Sequence, residues 1–125
     1  MKKIMTKQLK NLKNNKINIT GGLYYCNDNE TLYLEILDAF IEESSEKKEL
    51  LEKWAANGDL KSYYREAHAL KNVTATIGAT HLYDYLNDLC AEMKAEDKFP
   101  TPAKVRELTK QYDKLIKIIK NSKKS

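Results

Sequence analysis

Asn57-Gly58-Asp59-Leu60-Lys61-Ser62-Tyr63-Tyr64-Arg65-Glu66-Ala67-His68-Ala69-Leu70-Lys71-Asn72-Val73-Thr74-Ala75-Thr76-Ile77-Gly78 is the stretch on which the fold turns. Both ends carry helix punctuation. Gly58 suits the left-handed residue that closes one helix, Asp59 the N-cap of the next, and Gly78 ends or sharply bends it. At about 100° per residue, Leu60, Tyr63, Ala67, Leu70, Thr74 and Ile77 share one side, the expected buried stripe. Lys61, Tyr64, Arg65, His68, Lys71, Asn72 and Ala75 share the other. His68 therefore faces water at mid-helix, with Arg65 one turn before it and Lys71 one turn after. An imidazole between two cations suits a group that carries a phosphoryl anion, although a solvated surface histidine would look the same.

The pattern outward from this stretch is helical throughout. Asn27, with Glu30 three residues on, reads as a capping box, and the apolar positions Leu32, Tyr33, Ile36, Leu37, Phe40 and Ile41 predict a helix to about Ser44. Ser44-Ser45 reads as a new start, with a shorter helix to Asn57 burying Leu50, Leu51, Trp54 and Ala55. Beyond Gly78, Leu82, Leu86, Leu89 and Met93 predict a helix over Ala79–Glu96. Asp97-Lys98-Phe99-Pro100 is a turn. Thr101 caps the last helix and Pro102 takes its first position, where a missing N–H does no harm. Val105, Leu108, Tyr112, Leu115 and Ile119 continue the spacing. Upstream, Leu9 and Leu12 with Ile4 give a weak helical pattern, Thr20-Gly21-Gly22 reads as a loop, and Leu23 and Tyr24 should pack on the bundle end. Helices joined by short loops are antiparallel neighbours, so the expected fold is all-α: an antiparallel four-helix bundle with an additional flanking N-terminal helix.

At 125 residues the chain fits one domain. Cys26 and Cys90 sit in no metal-ligand or redox pattern, so a reducing cytoplasm is expected, with no metal site. No apolar run predicts a membrane span and no secretory signal is visible. The initial Met and the lysine-rich ends favour a freestanding protein over the excised end of a longer one. The net charge of +4 hides an asymmetry. Residues 1–16 hold six lysines and no acid, and residues 117–125 hold four lysines and no acid. The body between them carries twelve cations against eighteen acids, a net of −6. The expected organisation is a basic, frayed segment over 1–16, a bundle over 17–121 and a basic tail over 122–125. Such ends can touch nucleic acid or anionic lipid. They read more readily as solubilising ends, and no RRM or OB pattern surrounds the eight tyrosines, so no nucleic-acid partner is expected.

Ala67-His68-x-Leu70-Lys71 followed by Ile77-Gly78-Ala79-x-x-Leu82 resembles the histidine-containing phosphotransfer (HPt) domain of bacterial two-component phosphorelays. The upstream run Gly22-Leu23 through Leu32-Tyr33-Leu34-Glu35-Ile36-Leu37-x-x-Phe40 is similar to the family's opening, and the resemblance extends from about Ile17 to Ile119. The family usually has glycine where this chain has Asn72. The resemblance implies a phosphocarrier rather than an enzyme. His68 would be the phosphoacceptor and Lys71 would neutralise the phosphoryl oxygens. The partner would be the receiver domain of a response regulator or hybrid histidine kinase, and Mg²⁺ would sit only on that receiver. No cofactor on this chain and a monomeric state are expected.

The residues are compatible with that reading. Neutral imidazole is a nucleophile near neutral pH, because imidazole ordinarily titrates near about pH 6.5. Phosphoryl transfer needs in-line approach and charge stabilisation. The sequence has no P-loop, glycine-rich nucleotide lid or acidic Mg²⁺ site, so the chain should receive its phosphoryl group from a partner rather than from ATP. Ala69 and Ala75 keep side chains small around His68. Arg65 could assist or could pair with an acid, and His81 near a helix start matches no functional position. The competing reading is a helical adaptor that binds a receiver or kinase without transfer, and Asn72 is its support.

Overall fold

The computed structural model describes residues 6–124. Lys2, Lys3 and Ile4 of the basic N-terminal stretch, and Ser125 at the other end, lie outside the described residues. Among those described there are six helices and no strand: α1 (Lys7–Asn14), α2 (Ile19–Tyr25), α3 (Glu30–Asn57), α4 (Leu60–Ile77), α5 (Thr80–Glu96) and α6 (Pro102–Ser122). The last four form the bundle. Helix α3 packs on α4 and α6, α4 on α5, and α5 on α6, so α4 and α6 stand on opposite corners. Helix α2 seats against α4, and α1 lies along α6.

The punctuation around α4 is as the sequence predicts. Gly58 closes α3 at φ 63°, and the Asp59 carboxylate accepts the Ser62 backbone N–H at 3.1 Å and the Ser62 hydroxyl at 2.8 Å. Gly78 closes α4 at φ 79°. Its carbonyl accepts the Asn18 N–H at 2.8 Å, which ties the chain before α2 to the junction of α4 and α5. Tyr63, Ala67, Leu70, Thr74 and Ile77 are the buried stripe of α4, and Leu82, Leu86, Leu89, Cys90 and Met93 that of α5. Thr101 caps α6, with Pro102 in the first turn. Tyr33, Tyr63 and Tyr112 are the largest side chains wholly inside, and the Tyr33 hydroxyl donates to the Ile77 carbonyl at 2.8 Å.

Five expectations are corrected. Ser44-Ser45 does not break the chain: α3 is one helix of 28 residues. Ser44 is buried and its hydroxyl donates to the Ile41 carbonyl at 2.7 Å, so the helix itself satisfies the group that would otherwise favour a cap. The N-cap of α3 is Asn29, which accepts the Leu32 N–H at 3.0 Å, and not Asn27, which is left-handed at φ 55°. Thr20-Gly21-Gly22 is helical rather than a loop. A Cβ on Gly22 would lie 2.3 Å from Tyr33 Cε1, so the glycine is there to let α2 approach α3. The frayed start is, over Lys7–Asn14, a helix capped by Thr6 that buries Leu9 and Leu12. Tyr24 and Leu32, expected to pack inward, are exposed.

The cap on α4 has a pH consequence. The hydrogen bonds from Ser62, backbone first, hold the Asp59 carboxyl below its ordinary pKa. A depressed folded-state pKa contributes stability above the unfolded-state value, and that contribution is lost as pH falls through the folded-state value. Asn caps as well as Asp but does not titrate. Asp59→Asn should therefore lose less stability than wild type between about pH 7 and about pH 3. Urea midpoints at the two pH values test this, and equal losses would remove Asp59 from the acid response.

Candidate phosphoacceptor face

Helix α4 is held on its inner side by the bundle, so its outward stripe is a rigid platform. His68 sits halfway along it, half-buried rather than fully in water. Tyr64, one turn earlier, explains the burial: its ring stacks on the imidazole with centroids 5.7 Å apart and planes 30° from parallel. Among the described residues neither ring nitrogen of His68 takes a hydrogen bond or an ion pair. The imidazole is thus fixed from one side by an aromatic face while its nitrogens stay available.

The two cations beside it differ in placement. Arg65 is exposed and has no ion pair among the described residues, though its charge helps hold the Asp59 carboxyl down. Lys71 is half-buried and leans toward α5: burial pushes the Cys90 thiol up, and the Lys71 charge pulls it down. Asn72 is exposed, and its recorded bond is through its carbonyl, which accepts the Thr76 hydroxyl at 3.1 Å. Ala69 is exposed and Ala75 half-buried, so the side chains before and after the Lys71–Asn72 pair are small. Two turns along the stripe, Ala75 borders a hollow shared with Gly78, Tyr83 and the exposed Tyr25.

His81 lies in the first turn of α5, past the end of α4 that Gly78 closes, and belongs to a different surface. Both cysteines are buried and free. No group of His, Cys, Asp and Glu among the described residues could hold a metal ion. Helical spacing puts Tyr64 on the polar face and, by itself, gives it no role; the signal that finds it is an aromatic four residues before a histidine on one helix face, a spacing that brings the rings together.

Residues 35–117 match the family model of the Hpt domain. The chain belongs to the Hpt domain family. The matched span takes in most of α3, all of α4 and α5 and most of α6, which is the four-helix bundle with His68 near its middle. It is narrower than the resemblance read from about Ile17 to Ile119, and α1 and α2 fall outside it. No curated protein and no solved structure matches the chain. Hpt domains carry phosphoryl groups on histidine within phosphorelays and interact with receiver domains; they are carriers rather than catalysts in the usual sense. No helix of this Hpt domain, among the described residues, is long and apolar enough to cross a membrane.

Proposed function

We propose that this Hpt domain is a cytoplasmic, monomeric phosphocarrier in which His68 accepts a phosphoryl group from a receiver aspartate and passes it to another. The observation that carries the reading is the free pair of imidazole nitrogens on the outward stripe of α4, stacked on Tyr64 and followed one turn later by Lys71. A ring nitrogen attacks phosphorus, the aspartyl oxygen leaves, and a phosphoramidate forms. The receiver brings the bound Mg²⁺ and the leaving carboxylate. This chain's share is positioning and charge: Tyr64 limits rotation of the nucleophile, and Lys71, one turn along the helix, neutralises phosphoryl oxygens. The small side chains of Ala69 and Ala75, the latter bordering a hollow with Tyr25, leave a receiver room on either side of Asn72. We assign the role to the bundle over residues 17–121.

Incubation with a phosphorylated receiver tests the proposal, with transfer of label to this chain as the expected result. A stable complex without transferred label would instead favour the adaptor reading, in which exposed Asn72 blocks the final approach. Two variants refine the picture. Lys71→Ala should slow transfer while costing under about 0.5 kcal/mol of fold stability; unchanged transfer with a large stability loss would make Lys71 structural. Asn72→Gly should quicken transfer while lowering stability by about 0.3–1 kcal/mol through helix propensity. Among the described residues the Asn72 carboxamide makes no hydrogen bond that would orient His68, so its bulk is the dominant effect. A slower glycine variant would show that the carboxamide assists instead.

A further inference from the structure

The lysine-rich ends, separate in sequence, meet in the fold. Helix α1 runs along the C-terminal part of α6. Gln8 donates to the Ser122 hydroxyl at 3.3 Å, and the Asn11 carboxamide donates to the Ser122 carbonyl at 3.1 Å and the Lys124 carbonyl at 3.4 Å. The outward side of α6 carries Arg106, Lys110, Lys114, Lys117 and Lys120, all exposed. Their spacing places them on one stripe opposite the buried Leu108, Tyr112, Leu115 and Ile119. From Arg106 to Lys120 that stripe is about 21 Å long. On α1 and the turn after it, Lys7, Lys10, Lys13 and Lys16 are exposed too. Lys114 joins the two sets, because it borders one hollow with Lys16 and another with Arg106, Lys110 and Lys117.

Little on this face offsets the charge. Asp113 is engaged by Lys48 of α3, and Asp38 by Lys123. Glu107 is half-buried, accepts the Gln111 amide at 3.1 Å and is felt at Tyr85 of α5, so it leans away from the stripe. The cations named on α1 and α6 have no ion-pair partner among the described residues. Helix α6 stands diagonally across the bundle from α4, so this face points away from His68.

We propose that the joined α1–α6 lysine face is a docking surface for anionic lipid bilayers, which leaves the histidine helix turned outward. The chemistry favours a lipid surface over a nucleic acid. The face is two helix backs side by side. Among the described residues it exposes no aromatic ring for base stacking, and it holds one arginine among lysines, so bidentate recognition is nearly absent. Mobile ammonium groups over a broad surface answer a diffuse field of headgroup charge, each adding attraction that falls off within a Debye length. Among the described residues no exposed large apolar side chain lies on either helix, so the attachment proposed for this face is electrostatic and released by salt.

Vesicle flotation with the full chain tests this. Vesicles of phosphatidylcholine mixed with phosphatidylglycerol should bind the protein at low salt and release it at high salt, and pure phosphatidylcholine vesicles should not bind it. Lys110→Glu, Lys114→Glu and Lys117→Glu together should weaken binding roughly a hundredfold. Lys61→Glu on α4 should leave it unchanged, and receiver-dependent labelling should survive in both variants. If the triple reversal unfolds the domain by circular dichroism, Lys7→Gln, Lys10→Gln and Lys13→Gln on α1 should give a smaller loss in its place. Absence of binding to the mixed vesicles at low salt, equal binding to neutral vesicles, or tighter binding to duplex DNA than to vesicles at the same salt would each overturn the assignment.

Discussion

Gly78→Ala is expected to destabilise the domain by about 3 kcal/mol or more. Two costs combine. At φ 79° the residue lies in the left-handed region that disfavours any side chain with a Cβ. The added Cβ would also stand 2.1 Å from the Asn18 carbonyl oxygen, a backbone atom that cannot swing away. To make room, the segment before α2 would have to leave, breaking the Asn18 N–H bond to Gly78 and loosening α2 from α4. Gly58 supplies the control. It is left-handed at φ 63°, but a Cβ there meets nothing within 4 Å. Gly58→Ala should accordingly cost only about 1–2 kcal/mol. Urea denaturation of both variants measures the difference. Equal losses would mean that Asn18 is not seated on Gly78.

His68→Gln has the second large effect, on transfer rather than on folding. Label from a phosphorylated receiver should fall below detection, because a carboxamide has no nucleophilic ring nitrogen. The fold should lose under about 1 kcal/mol, the scale of one aromatic pair, since the stack on Tyr64 is the recorded interaction of the imidazole. Helical circular dichroism should be unchanged. Undiminished label in this variant would remove His68 from the role of acceptor.

The parts of the fold that were legible in sequence are those set by local chemistry. Asp59 caps because its carboxylate reaches Ser62, and Gly58 and Gly78 stop helices because they can turn left-handed. Tyr63, Ala67, Leu70, Thr74 and Ile77 show their burial in their spacing alone. What could not be read is set by neighbours. Ser44-Ser45 carries a real local bias toward a helix start, but α3 runs on with Ser44 buried and its hydroxyl satisfied by the Ile41 carbonyl. Gly21-Gly22 looks like a loop until Tyr33 is seen to occupy the space that a side chain on Gly22 would need. At the site, His68 and its two flanking cations were legible from helical spacing. The reach of the Lys71 charge to Cys90 and the seating of the imidazole on Tyr64 depend on how the helices pack. The lysine face was the least legible feature. Its two contributions stand at opposite ends of the sequence and become one surface only because Leu9 and Leu12 bring α1 into the core beside α6.

A phosphoryl map of the wild-type protein bears most directly on the carrier reading. After incubation with a phosphorylated receiver, the label should be acid-labile and base-stable, as a phosphoramidate is, and peptide mapping should place it on His68. Label on His81 or on a carboxylate, or a receiver complex that forms with no label transferred, would contradict the account.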